Sequence, residues 1–382
     1  MSIFSKEAPF YNKLSESRVQ CGICPRFCLL NPGERSYCGL YVNVDGKLFI
    51  EQYGALISCF PTNYGNILFH PQETFLTVQL PGCNSGCGFC WYGKNYTGHP
   101  IENVKPYFKD KPFAVLANKN NSGELSMPSS FRRVSPAQTV DIMTKTNSNG
   151  LHFAVVEPSI SLSWVHEAAR LCHEVGGVNL LSTSGFLSVQ TTELLSQYID
   201  SVRLSFKSNG DKDFYRKHVC ADSKYVFDCA KTFRDNGVFV QICNSFEVGA
   251  GLDKFRDWAR WVIENLGSNT PVAANPLQPI TFQNADEYFL SMEQIAKEEG
   301  LRFFQLDERP EGDPIVWKCP DCQNSILTEH IRIAPSSYFG VNILEISQDM
   351  FQEIPIPVLS IELGVDFMGK CLSCGCQTPI KP

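Results

Sequence analysis

Three cysteines stand close together in the stretch PGCNSGCGFCWYG, at Cys83, Cys87 and Cys90, in the spacing C-x3-C-x2-C. Zinc sites and redox pairs are usually built on C-x2-C pairs. Here three thiols come without an obvious fourth. Three thiolates can hold a [4Fe–4S] cluster and leave one iron open to a substrate or cosubstrate, whereas a closed cluster uses a fourth cysteine. The competing reading is a zinc site completed by a cysteine from elsewhere in the chain. The glycines of the stretch permit a tight loop around a cube of iron and sulfur.

Two further groups have metal-ligand spacing. CGICPRFCLLNPGERSYCG supplies Cys21, Cys24, Cys28 and Cys38. CPDCQNSIL and CLSCGC supply Cys319, Cys322, Cys371 and Cys374, with Cys376 as an extra. Four thiolates can hold zinc or iron tetrahedrally, or a second cluster. The C-terminal knuckles look like a zinc ribbon or rubredoxin-type site, and both groups read as structural or electron-relaying. The chain has 17 cysteines, and in a reducing cytosol clusters of this kind hold metal more often than they form disulfides. The scattered Cys59, Cys172, Cys220, Cys229 and Cys243 read as small buried hydrophobes.

The elements that must position these groups follow from residue 74 onward. Strand-like runs TFLTVQL (74–80), HFAVVE (152–157), VNLLST (178–183), VRLSFK (202–207), VFVQIC (238–243) and PVAAN (271–275) alternate with amphipathic stretches such as SLSWVHEAARLCHEVGG. Several of those stretches end in Gly, the residue favoured just past a helix. The alternation implies an α/β fold with a parallel sheet, read as a partial (β/α)6 barrel, with a short seventh strand at LRFFQLD. The cysteine triplet follows the first strand, where loops after strand C-termini build active sites. On VRLSFK, alternation sends Arg203, Ser205 and Lys207 to the interior and Val202, Leu204 and Phe206 to the helices. The expected organisation is a Cys-rich segment (1–73), a barrel (74–300) with an insertion loop at 106–133, and a metal-binding module (301–382).

Composition sets limits on function. The 382 residues are 43% hydrophobic and 19% charged, as in a globular protein. A net charge of −7 gives no global argument for nucleic-acid binding. MSIFSKEAPFYNKL lacks the apolar core of a secretion signal, and no apolar run reaches membrane-spanning length, so the chain reads as cytoplasmic with no membrane partner.

With Phe89 just before its last cysteine, the motif resembles that of the radical S-adenosylmethionine (SAM) enzymes. The ordered set of N-terminal CxxCPxxC…C, the triplet, EP in AVVEPSIS, and C-terminal CPxC…CxxCG resembles the AmmeMemoRadiSam-system branch, related to pyruvate formate-lyase activases. The resemblance implies that Cys83, Cys87 and Cys90 hold a [4Fe–4S] cluster whose open iron binds SAM. An electron then splits SAM into methionine and a 5′-deoxyadenosyl radical, which takes hydrogen from a substrate. It implies that Phe89 packs near the adenine, that Glu157 takes the SAM amino group, and that Lys207 contacts SAM. Ser184 in STSG and Ser205 in SFK replace an Asn and an Asp of the relatives. The implied partners are SAM, an electron donor such as flavodoxin or ferredoxin, and a protein, peptide, RNA or small-molecule substrate. A SAM-dependent methyl or aminocarboxypropyl transferase, a glycyl-radical enzyme activase, and a non-enzymatic iron–sulfur electron-transfer or scaffold protein are the competing functions.

Overall fold

A computed structural model of the chain describes residues 6–63, 68–90, 132–247, 249–277, 282–306, 314–330 and 360–382, with the backbone of two short strands, Asn118–Lys119 and Leu125–Ser126. Its main sheet has eight strands: β1 (Ser58–Thr62), β2 (Phe75–Gln79), β3 (Gly150–Phe153), β4 (Val178–Thr183), β5 (Ser201–Lys207), β6 (Phe239–Phe246), β7 (Val272–Pro276) and β8 (Phe304–Leu306). They lie side by side in chain order. β1 pairs antiparallel with β2, and every later pair is parallel. The fold is therefore the expected α/β partial barrel. It remains open, since no ladder among the described residues joins β1 to β8.

Alternation along β5 sets the two faces. Val202, Leu204 and Phe206 are fully buried against helices, while Arg203, Ser205 and Lys207 are half-buried on the other face. Parallel register extends that polar face across the sheet: Ser182 neighbours Arg203 and then Gln241, Ser205 neighbours Cys243, and Lys207 neighbours Ser245 and then Asn275. Helices Leu162–Glu174, Lys224–Asp235 and Leu252–Asn265 bury their apolar stripes on the opposite face.

Two strand ends differ from the expected runs. HFAVVE does not stay extended to Glu157: β3 stops at Phe153, and Val155 (φ 65°) and Val156 (φ 57°) turn left-handed. Two consecutive β-branched residues there are strained, as is common where a loop builds a site. β6, by contrast, continues past Cys243 to Phe246. The buried Asn244 amide donates to Asn209 Oδ1 at 2.7 Å, which satisfies a polar side chain that would otherwise end the strand.

The N-terminal segment forms two small antiparallel sheets that share the main core. Tyr41 Oη donates to Ile160 O (2.7 Å), and the Thr191 hydroxyl donates to Ile23 O (2.8 Å). Gly82, at φ 92°, faces Leu40 so closely that a β-carbon would lie 2.8 Å from Leu40 Cγ. The C-terminal strands Ile315–Lys318, Ser325–His330 and Ser360–Leu363 form an antiparallel sheet whose apolar cluster includes Leu68, Ala273, Phe303 and Trp317. Most of the 106–133 insertion lies outside the described residues. Its end, Arg132–Arg133, pairs with Ala55–Leu56. No helix among the described residues is long and apolar enough to cross a membrane.

His152 on β3 is buried, with Nε2 2.9 Å from Ser182 Oγ. Burial, helped by the charge of Arg203, pushes its pKa down from 6.5 to about 3. The folded state thus binds fewer protons than the unfolded chain. The stability this contributes is complete above pH 6.5 and is lost as pH falls towards about 3. Urea titrations should show unfolding free energy falling with acid more steeply in the native protein than in His152→Asn. The slopes should differ by up to about 1.4 kcal/mol per pH unit below the unfolded pKa.

Candidate active site

The cysteine loop leaves the C-terminal end of β2 and is tied down by its backbone. Gly86 N–H donates to Val219 O (2.8 Å), Gly88 N–H to His218 O (3.1 Å) and Cys90 N–H to Cys87 O (3.1 Å). The acceptors belong to a wide helical turn, Tyr215–Val219, which ends in a left-handed Cys220 (φ 54°). Gly86 packs closely there: a β-carbon would stand 2.8 Å from Tyr37 Oη and 3.3 Å from Cys220 Sγ, so a larger residue would have to push the Tyr37 hydroxyl aside. Cys220 is exposed beside this loop, which corrects its reading as a buried hydrophobe. Cys59, Cys172, Cys229 and Cys243 are buried.

Cys83, Cys87 and Cys90 come together, each within electrostatic reach of the other two. Burial, then the Glu157 charge, pushes the Cys83 thiol well up. Burial and Cys90 push Cys87 up to about 12, against the pull of Lys207. Thiols in such surroundings become thiolates when a metal centre supplies positive charge.

Glu157 follows the strained turn and is fully buried. Its Oε1 accepts from Thr183 Oγ1 at 2.7 Å and from the Ser159 hydroxyl; its Oε2 accepts from the Ser184 N–H at 2.8 Å and from the Ser184 hydroxyl. A carboxylate offers about four lone-pair sites, so this cage of neutral donors nearly saturates it. Ser205 and Lys207 project from the same end of β5 on the inner face, with Lys207 within electrostatic reach of Cys87. Phe89 packs on Phe214 of the neighbouring turn, centroids 5.8 Å apart.

The N-terminal loop closes over this region. Arg26 Nε donates to Asn84 O (2.6 Å) and Nη2 to Cys220 O (2.6 Å), while its guanidinium lies 3.5 Å from the Tyr37 ring centroid. Sequence reasoning did not single out Arg26, Tyr37, Asn84, Ser159 or Thr183. The PR following Cys24 and the N following Cys83 were visible, but only the fold brings them into contact.

The two four-cysteine groups differ in spread. Cys319 and Cys374 sulfurs are 3.6 Å apart and Cys322 and Cys371 sulfurs 3.7 Å, and all four lie within 4.8 Å of one another. This set suits one tetrahedral ion. Cys376 stands outside it, its Sγ accepting from Arg302 Nη2 at 3.2 Å. Cys21, Cys24, Cys28 and Cys38 also converge, each pair within electrostatic reach, with Cys28 nearest the surface. Among the described residues, only the C-terminal group gathers three or more ligand atoms within 4.8 Å.

A polar sheet mouth with three loop thiols is a setting for thiolate-bound cofactor chemistry, and the comparisons define the class. Residues 78–253 match the radical SAM superfamily. That stretch is a radical SAM domain, and such a domain works with a [4Fe–4S] cluster and SAM. The three convergent thiols, with no fourth among the described residues gathered to single-ion distance, fit such a cluster. The chain is 24% identical over 337 residues, 85% of its length and 92% of the relative's, to the uncharacterized protein MJ0808 of Methanocaldococcus jannaschii. Among solved structures, SuiB of Streptococcus suis bound to S-adenosylmethionine aligns with TM-score 0.41 and 13% identity, over 60% of this chain and 48% of that one. A domain of pyruvate-formate lyase-activating enzyme from Bacteroides vulgatus aligns with TM-score 0.36 and 13% identity, over 42% of this chain and all of that domain.

Glu157→Gln would set an amide NH2 among donors that need an acceptor. Its unfolding free energy in the absence of SAM should fall by about 1–3 kcal/mol. Unchanged stability would mean the carboxylate does not organise this mouth. Cys322→Ser should lose the ion of the C-terminal group and expose Trp317, read as a fluorescence shift, while the mouth region keeps its iron.

Proposed function

We propose that the protein cleaves SAM reductively and passes the resulting radical to a C–H bond of a protein, peptide, RNA or small-molecule substrate, with Cys83, Cys87 and Cys90 as the cluster ligands. When bound, the cluster supplies the electron that breaks the SAM carbon–sulfur bond and one open iron to hold SAM. The observation that carries the reading is convergence: three thiols, a buried carboxylate and the β5 polar row share one end of the sheet.

The chain's own residues then have distinct tasks. Glu157 accepts the SAM ammonium group, which takes the place of serine hydroxyls free to rotate away, while the Ser184 N–H and Thr183 keep the carboxylate fixed. Ser184, Ser205 and Lys207 offer donors to the SAM carboxylate and ribose. Relative to an Asp, Ser205 gives a hydroxyl and no charge, which leaves Lys207 uncompensated from that position. Phe89 borders the adenine side, backed by Phe214. A low-potential flavodoxin or ferredoxin supplies electrons. The chain's ordered cysteine pattern favours the AmmeMemoRadiSam-system branch, with segments 1–73, 74–300 and 301–382 as its parts, although β1 from the first and β8 from the last complete the sheet of the middle one.

The test is anaerobic reconstitution with iron and sulfide, addition of SAM and dithionite, and separation of the nucleosides. The native protein should form 5′-deoxyadenosine, and the Cys83→Ala, Cys87→Ala, Cys90→Ala triple variant should form none. Methylthioadenosine would replace this reading with aminocarboxypropyl transfer, and S-adenosylhomocysteine with methyl transfer. No cleavage by a protein whose cluster responds spectroscopically to SAM, even with reductant in excess, would overturn it in favour of a scaffold.

A further inference from the structure

Four thiolates about 2.3 Å from one tetrahedral ion stand about 3.8 Å from each other. The C-terminal sulfurs, at 3.6 and 3.7 Å, have that spacing. The N-terminal four do not. Cys21, Cys24, Cys28 and Cys38 stand with every pair in electrostatic reach, yet no three of their sulfurs fall within 4.8 Å of one another. Cys83, Cys87 and Cys90 share this wider spread. Wide spacing is what a cubane asks for, because each thiolate binds a different iron.

The surroundings agree. The Tyr37 N–H points at Cys28 Sγ (3.4 Å), the Ser36 hydroxyl lies 3.2 Å from Cys38 Sγ, and backbone N–H groups of Ile23, Arg26 and Leu40 reach Cys21, Cys24 and Cys38. Donors aimed at the sulfurs stabilise the negative charge of a thiolate-bound cluster and raise its potential. The group also touches the mouth: the Asn84 side-chain amide interacts with Cys24, and Asn84 is bonded directly to Cys83.

We infer that Cys21, Cys24, Cys28 and Cys38 hold a second iron–sulfur cluster, of the four-thiolate [4Fe–4S] type, joined through Asn84 to the cysteine loop of the mouth. Half-buried Cys28 marks its outer side and Cys24 its inner side. A low-potential one-electron carrier of the flavin or iron–sulfur class reduces this cluster by one electron. That electron then passes inward, leaving the cluster oxidised as before.

The experiment measures iron, acid-labile sulfide and zinc per chain in the full-length protein prepared anaerobically, with electron paramagnetic resonance after reduction. The mouth triple variant should retain about half of the native iron and sulfide, with a reduced-cluster signal that SAM does not alter. Cys24→Ser, Cys28→Ser should lose the complementary half and keep the SAM-sensitive signal. If that variant does not fold, the triple variant decides alone. Zinc bound at both four-cysteine groups with no sulfide left in the triple variant would overturn the inference, as would iron without sulfide. Failure of the proposed radical chemistry looks different: no 5′-deoxyadenosine from the native protein with SAM and reductant, and sulfide still present in the triple variant.

Discussion

Arg26 is the contact on which the arrangement of the mouth depends. It lies between two cysteines of the N-terminal group, donates to Asn84 O and Cys220 O, and stacks on Tyr37. One guanidinium therefore joins the N-terminal segment, the cysteine loop and the turn after β5. Hydrogen bonds from a charged donor to carbonyls are each worth about 1.5–3 kcal/mol. A lysine could not reproduce them, because the rigid fork meets two carbonyls while its flat face covers a ring. Without that clamp, the loop from Cys83 to Cys90 would rest on its backbone bonds to residues 218 and 219 and on the Asn84 amide, which donates to Phe186 O at 2.6 Å.

The clamp works because the surroundings resist adjustment. Gly82, at φ 92°, brings loop backbone against Leu40 with no room for a β-carbon, and Gly86 brings it close to Tyr37 and Cys220. The turn that carries Glu157 is strained at Val155 and Val156, and is held by Tyr41 donating to Ile160 O from the N-terminal side. Interiors packed this closely transmit position well. The N-terminal segment is thus part of the wall of the mouth as well as a carrier of cysteines.

The polar face of the sheet explains how so many ionisable groups coexist there. Arg203, Lys207, Glu157 and the thiols sit on inner positions or on loops at one end, while apolar side chains of the same strands go to the helices. Charge buried on one face is tolerated where hydrogen bonds and opposite charge meet it, as the four donors at Glu157 do. The C-terminal module draws on a separate apolar cluster, and its sulfurs take the close spacing of a single-ion site.

Local pattern carried much of this in the sequence alone. Period-two strands, Gly-ended helices and cysteine spacing are short-range signals, and from them came the parallel sheet and the three cysteine groups, though not the antiparallel strand β1 at its edge. The inner placement of Ser205 and Lys207 followed from alternation as well. What the sequence could not contain were contacts between distant residues: Arg26 on Asn84, Thr183 on Glu157, Cys220 beside Gly86. The break of β3 before Glu157 was also hidden, since AVV favours a strand and only tertiary packing forces it left-handed. Spacing along the chain names the ligands. The distance between sulfurs, which separates a site for one ion from a site for a cluster, exists only once the chain is folded.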